Sequence, residues 1–186
     1  IKTEYMIIMK FGGTSVANFE AITRTIFIVA SKLDQKPVVV VSALSKITDL
    51  LYAISDAALA KDVDATKLHL SQLRKRHVDL TEELLSQSML KDEAVARVNE
   101  LCDQLDKIAL AVCSLGELSD KNKAVIISMG EYLSSTIIAY SMNSKGIRTK
   151  WVDSRTMMVT NNSYLKAEPI IDAIAQKAPG LVAEAY

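Results

Sequence analysis

Two short apolar runs constrain this chain more than anything else in it. Tyr5-Met6-Ile7-Ile8-Met9-Lys10 stops just before Gly12-Gly13, and Val38-Val39-Val40-Val41 follows Pro37 and stops at Ser42-Ala43. Apolar runs bounded by small residues suit fully buried strands of a parallel sheet, in which both faces are covered. Each run leads into a segment with apolar residues at steps of three and four. Phe19, Ile22, Ile26, Val29 and Leu33 mark one helix face between the runs, and residues 47–59 mark another after the second. The order strand, helix, strand, helix predicts an α/β fold with a mostly parallel sheet sandwiched by helices.

Residues 62–115 break that rhythm. Two long amphipathic stretches, at 65–86 and 92–114, predict a helical hairpin inserted into the α/β core or laid beside it. In the second, Val95, Val98, Leu101, Leu105, Ile108 and Val112 keep the helical spacing, and the mixed charges between them are expected to coat solvated faces. A further helix is expected from Ser119 or Asp120 to Ser144, stopped by Gly146. Alternation over Arg148-Thr149-Lys150-Trp151-Val152-Asp153 predicts a strand. Glu168-Pro169 fits a helix start, with Ile170, Ile171 and Ile174 on its apolar face. Pro179-Gly180 reads as a turn, and Leu181-Val182 as the start of another apolar strand.

Charge and composition exclude several functions. The 22 basic and 22 acidic residues cancel, so no global field draws the chain to nucleic acid or to an anionic membrane. No apolar run approaches the ~20 residues needed to cross a bilayer. Cys102 and Cys113 cannot build a disulfide framework, which makes the reducing cytoplasm the expected compartment. The 186 residues begin with Ile and carry no signal peptide, which reads as an internal start within a longer polypeptide. His69 and His77 have no acidic or Cys cluster at ligand spacing and are expected at the surface. The methionines read as core filler, although Met157-Met158, near an expected strand end, could touch a ligand.

Three stretches could carry chemistry, each with a bland alternative. Lys10-Phe11-Gly12-Gly13-Thr14-Ser15-Val16 joins a strand to a helix, so its N–H groups could converge on an anion while Lys10 adds a mobile positive charge. The alternative is a tight turn beside a solvated lysine. It is neither a Walker A loop nor a G-x-G-x-x-G fingerprint. Ser42, Ser45 and Thr48 cluster hydroxyls at the carboxyl end of the second strand, where α/β proteins place ligands. The alternative is helix capping, with Ser45 as cap and Thr48 at the third helical position. Glu131, within Ser128-Met129-Gly130-Glu131-Tyr132-Leu133-Ser134-Ser135, stands in an apolar helical stretch and would need a cation if buried. A bound ammonium would supply one; the alternative is an outer-face position.

Taken together and in this order, the motifs resemble the aspartate kinases of the amino-acid kinase family. K-F-G-G-T-S-V is similar to that family's opening phosphate loop, V-S-A-x-x-x-I-T-D-L-L to its second segment and S-x-G-E-x-L-S-S to its third. Trp151-Val152-Asp153-Ser154-Arg155, Thr160-Asn161 and Ala167-Glu168-Pro169 resemble the block that follows in the lysine-sensitive type. The resemblance implies that Lys10, Gly12 and Gly13, with Phe11 and Ser15, hold ATP phosphates and the transferring group. Lys10 is then the catalytic cation. It implies that Ser42 and Thr48 contact L-aspartate, that Glu131 pairs with its α-ammonium, and that Mg²⁺ is carried mainly by phosphates with no protein metal site. The implied reaction moves the γ-phosphoryl group to the β-carboxylate, giving aspartyl 4-phosphate on the route to lysine, threonine and methionine. Residues 1–186 are then expected to form the amino-terminal lobe of the kinase domain. The nucleotide-binding half and regulatory domains would lie outside it, the fragment would be inactive alone, and the parent would be a homo-oligomer. The alternatives are a glutamate or N-acetylglutamate kinase of the same family, or a non-catalytic amino-acid-binding relic.

Overall fold

The computed structural model describes residues 6–185, so Tyr5 of the first expected strand lies outside the described residues. Strands β1 (Ile8–Phe11) and β2 (Val38–Val41) pair in parallel, in register from Ile8 opposite Val38 to Phe11 opposite Val41. Helix α1 (Phe19–Ala30) makes the crossover that parallel pairing requires. The Asn18 side chain accepts the Ala21 N–H to cap it, and Ile22, Ile26 and Val29 are buried along its inner face. Helix α2 (Ile47–Leu59) follows β2 over the expected span. The hairpin is α3 (Val63–Leu84) and α4 (Lys91–Leu115), and α5 (Asp120–Ser144) starts at a Ser119 cap that accepts the Asn122 N–H. Gly146 just beyond α5 has φ +77°, a conformation other residues resist.

The hairpin is laid against α2 and α5, and its apolar seams join one continuous core with the α/β part. Val98, Leu101, Leu105 and Val112 are buried as their spacing predicts. Not all of its charge is solvated. Arg74 reaches from α3 to Asp103 and Asp106 of α4 at 2.7 Å each and to the Asn99 side chain at 2.9 Å. Among the described residues no helix is long and apolar enough to cross a membrane.

Five expectations are corrected. The strands are not buried on both faces. Met9, Phe11, Val39 and Val41 pack on the core, while Ile8 and Val40 are exposed, because the helices among the described residues cover one face only. Residues 148–153 form no strand. The Asn143 side chain accepts the Thr149 N–H at 2.9 Å and donates to its carbonyl at 3.1 Å, standing in for a ladder partner. Pro179-Gly180 is no turn, and Leu181-Val182 is no strand: α6 (Ile171–Ala185) runs through all four. Pro179 removes one helical hydrogen bond, yet the last turn stays docked because Leu181 and Val182 are half-buried and Lys150 Nζ donates to the Glu184 carbonyl at 2.9 Å. His77 is fully buried, on the α3 seam with Leu73 and Leu80. The methionines divide: Met129 and Met142 are core, whereas Met6, Met89 and Met158 are exposed.

Candidate functional site

The three chemistry-bearing stretches meet at one residue, Ala43, just past the carboxyl end of β2. Its N–H donates to Glu131 Oε1 at 3.3 Å. Its carbonyl oxygen lies 3.1 Å from where a Cβ on Gly13 would stand, so the loop after β1 packs directly on the loop after β2. Its own Cβ would be 2.7 Å from a Cβ on Gly130, so α5 can come this close only with glycine at that position. Around this contact Ser42 N–H donates to the Phe11 carbonyl at 3.0 Å, and Ser134 Oγ donates to the Ser42 carbonyl at 2.8 Å. The parallel pairing therefore brings both loops to the same sheet end, where open α/β folds bind ligands.

Each predicted residue takes a distinct place around that hub. Lys10 is exposed in β1, opposite Val40 on the uncovered face, and makes no ion pair among the described residues. Phe11 points the other way, into the core, so only its main chain faces the loop. Gly12 opens a 3-10 turn over Gly13–Val16, and no heavy atom lies within 4 Å of where its Cβ would be. Ser15 N–H donates to the Gly12 carbonyl at 2.9 Å, and the Ser15 carbonyl accepts Thr25 Oγ1 at 2.8 Å, tying the turn to α1. Ser42 and Thr48 are half-buried on either side of the β2–α2 loop. Capping does not account for the hydroxyls there: the α2 cap is Lys46, at φ +66° and with no side-chain cap bond. Glu131 is exposed, as the outer-face alternative had it, yet its carboxylate turns to the hub and has no cationic partner among the described residues.

A groove of about 960 Å³ runs beside the hub, between β2 and residues 148–155, with Glu131 and Ser128 on its α5 side. Its wall carries a cluster to which the sequence reading gave no role. Tyr132 OH donates to Asp153 Oδ2 at 2.7 Å, and Trp151 Nε1 donates to Ser135 Oγ at 2.9 Å. The Tyr132 and Trp151 rings meet edge to face at 4.9 Å. Arg155 forks onto Asp153 through bonds of 2.8–3.1 Å and lies 4.2 Å over the Tyr132 ring. Hydrogen bonds from Arg155 hold the Asp153 carboxyl below the usual carboxylate range, and burial, then the bond to Asp153, pushes the Tyr132 phenol up. The sequence signals for this cluster are the Trp151–Arg155 block and the motif that contains Tyr132 and Ser135, neither of which gives these side chains a role. His69 and His77 sit apart, in the hairpin. Among the described residues no group of three or more His, Cys, Asp or Glu could hold a metal ion.

The chain is similar to known proteins over nearly all of its length. The profile of the amino acid kinase family matches residues 6–182. Lysine-sensitive aspartokinase 3 of Escherichia coli is 30% identical over 173 residues, covering 93% of this chain and 36% of that protein. Aspartokinase 3, chloroplastic, of Arabidopsis thaliana is 28% identical over 188 residues, covering 96% of the chain and 32% of that protein. The chain thus spans about a third of these relatives. The crystal structure of E. coli aspartokinase III in complex with aspartate and ADP superposes with a TM-score of 0.83 at 27% identity, over 97% of this chain and 39% of that one.

Proposed function

Because the chain belongs to the amino acid kinase family, we propose that it carries the phosphate loop and the amino-acid-binding face of an aspartate kinase. The reaction is transfer of the ATP γ-phosphoryl group to the β-carboxylate of L-aspartate. The observation that supports this most is the convergence on Ala43, which touches the loop of Gly12-Gly13, continues from Ser42 and donates to Glu131. A transfer between two anions needs such a meeting of a phosphate-binding loop with an ammonium-binding carboxylate.

The residues fit the roles. The space open at Gly12 lets a phosphate approach the backbone of the loop, where a side chain would stand in its way. Lys10, exposed and uncommitted, follows the charge on the moving phosphoryl group. Glu131 offers a carboxylate without a cationic partner to the substrate's α-ammonium, and Ser42 and Thr48 flank the same loop. Bound Mg-ATP supplies the phosphoryl group and charge neutralisation, with the metal carried by phosphate oxygens. The β-carboxylate is ionised at neutral pH and needs no general base. The whole domain unit, 1–186 with its hairpin at 62–115, then serves as the amino-terminal lobe of the kinase, in the cytoplasm.

The test is calorimetric titration of the chain with L-aspartate, L-glutamate and N-acetyl-L-glutamate. Aspartate binds best under this reading, and Glu131→Gln weakens it by at least ~10-fold, the loss of one charge-assisted contact. Preference for glutamate or its N-acetyl form moves the assignment to another member of the family.

A further inference from the structure

Residues 148–153 have no strand partner among the described residues, and side chains hold them in place. Asn143 holds Thr149 at one end, and the contacts of Trp151, Asp153 and Arg155 with α5 hold the other. Asp153 is the node of that second anchor. It accepts from Tyr132 of α5, from the Arg155 guanidinium and, at 3.0 Å, from the Arg155 backbone N–H. Both anchor points on α5 belong to the helix turns that present Glu131: Tyr132 is the next residue, and Ser135 lies four residues on, on the same face. The groove wall and the proposed ammonium partner are therefore built from one stretch of helix.

We infer that Asp153 is a positioning residue that fixes this wall across the groove from β2, and with it the length of amino acid the site accepts. The inference rests on the assignment of Glu131 to the substrate ammonium. Two physical effects follow from losing the Asp153 charge. The wall loses its tie to α5, and the Arg155 cation is released into the groove that the exposed Glu131 carboxylate also lines. A moved wall admits longer side chains, and a freed guanidinium competes with the ammonium of every amino acid. The hydrogen bonds from Arg155 keep Asp153 ionised at neutral pH, so the fork is present under assay conditions.

The experiment compares the chain with Asp153→Asn and Tyr132→Phe, using L-aspartate and L-glutamate as probes. Trp151 is the single tryptophan and stands in the wall itself, so its emission reads the wall directly. The expected result for Asp153→Asn is a red-shifted emission without ligand, aspartate affinity down by ~10-fold and a narrowed ratio of aspartate over glutamate affinity. Tyr132→Phe, which keeps the ring contacts and loses one hydrogen bond, gives a smaller change in the same direction. An unshifted emission, or a lowered melting temperature with the affinity ratio intact, reduces Asp153 to a structural residue and overturns the inference. Absence of aspartate binding in the unmodified chain removes the Glu131 assignment first and the positioning role with it, a result distinct from normal binding by the variants.

Discussion

Gly130 offers the sharpest test of the geometry, because the same substitution elsewhere in the chain should act with opposite sign. A Cβ at Gly130 would stand 2.7 Å from Ala43 Cβ, 3.1 Å from Leu51 Cδ1 and 3.4 Å from Ile47 Cγ2. Carbon atoms prefer ~3.5–4 Å, so α5 or the β2–α2 loop must yield by most of an ångström at a backbone-anchored atom. Overpacking of this kind costs ~1–3 kcal/mol, and the better helix propensity of alanine returns ~1 kcal/mol. The expected net loss is up to ~2 kcal/mol, or up to ~8 °C in Tm for a chain of this size. Gly180 lies inside α6 with no heavy atom within 4 Å of its Cβ position. There only the propensity gain operates, and Gly180→Ala should raise Tm by up to ~4 °C. Calorimetric melting of both variants, side by side, decides the matter. Gly130→Ala should also move Ala43 off Glu131, breaking a bond already 3.3 Å long and weakening aspartate binding beyond the stability loss. A Gly130→Ala protein as stable as the parent, with unchanged binding, refutes the claim that glycine at this position lets the three motifs meet.

The loop glycines should separate folding from binding. Gly12→Ala meets open space and should leave Tm within ~1 °C while weakening Mg-ATP binding, whereas Gly13→Ala presses on the Ala43 carbonyl at 3.1 Å and should lower Tm as well; paired melting and nucleotide titrations check both. His77 should make the fold acid-sensitive. Burial pushes its imidazole down to about 4 from an ordinary 6.5, so the unfolded chain takes the proton first. Stability from the neutral ring is whole above pH 6.5 and falls as pH drops toward 4, by about 3 kcal/mol in total. Urea melts across that window should flatten in His77→Gln, and an unchanged slope would remove this account. Burial pushes the Cys102 thiol up to about 12, so it should react with a thiol reagent at neutral pH only after denaturation, read by absorbance of the released chromophore. Lys46→Gly relieves a left-handed backbone at φ +66° and should stabilise by ~0.5–1 kcal/mol, measured in urea.

Much of the helical architecture was legible because it depends on local signals. The spans of α2 and α5 follow from apolar spacing, from the Ser119 cap and from Gly146, and each of those acts within a turn or two of chain. The lack of ligand-spaced partners suggests a surface place for His77, whereas its spacing points inward: it falls four residues after Leu73 and three before Leu80, on the buried seam. Residues 148–153 form no strand for a different reason. Alternation describes a segment's readiness to pair, whereas a strand also needs a partner, and here the Asn143 amide takes that place. Pro179-Gly180 shows tertiary docking outweighing a breaker, since the turn beyond it is held by Lys150 and by the groove. The candidate residues stand out in the sequence as types and spacings. Their convergence on Ala43 does not, because an alanine carries no chemical signal and its role lies wholly in its two backbone groups and its small size.

Glu131 and the loop of Gly12-Gly13 are more than a hundred residues apart in sequence, on a helix and on a strand end that share no hydrogen bond with each other in this structure. What couples them is a single loop residue whose N–H holds the carboxylate and whose carbonyl abuts the glycine turn. The coupling works only at close range, which demands small residues at all three corners: Gly13, Ala43 and Gly130. Enlarging any corner separates the proposed phosphate-binding loop from the proposed ammonium-binding carboxylate, even where both retain their own side chains. Phosphoryl transfer requires the two anions within near-attack distance, and misplacement by ~1 Å costs on the order of a hundredfold in rate. Under the proposed function the three small residues set the alignment of the reacting groups, and Lys10 and Glu131 are the charges that alignment would bring to bear.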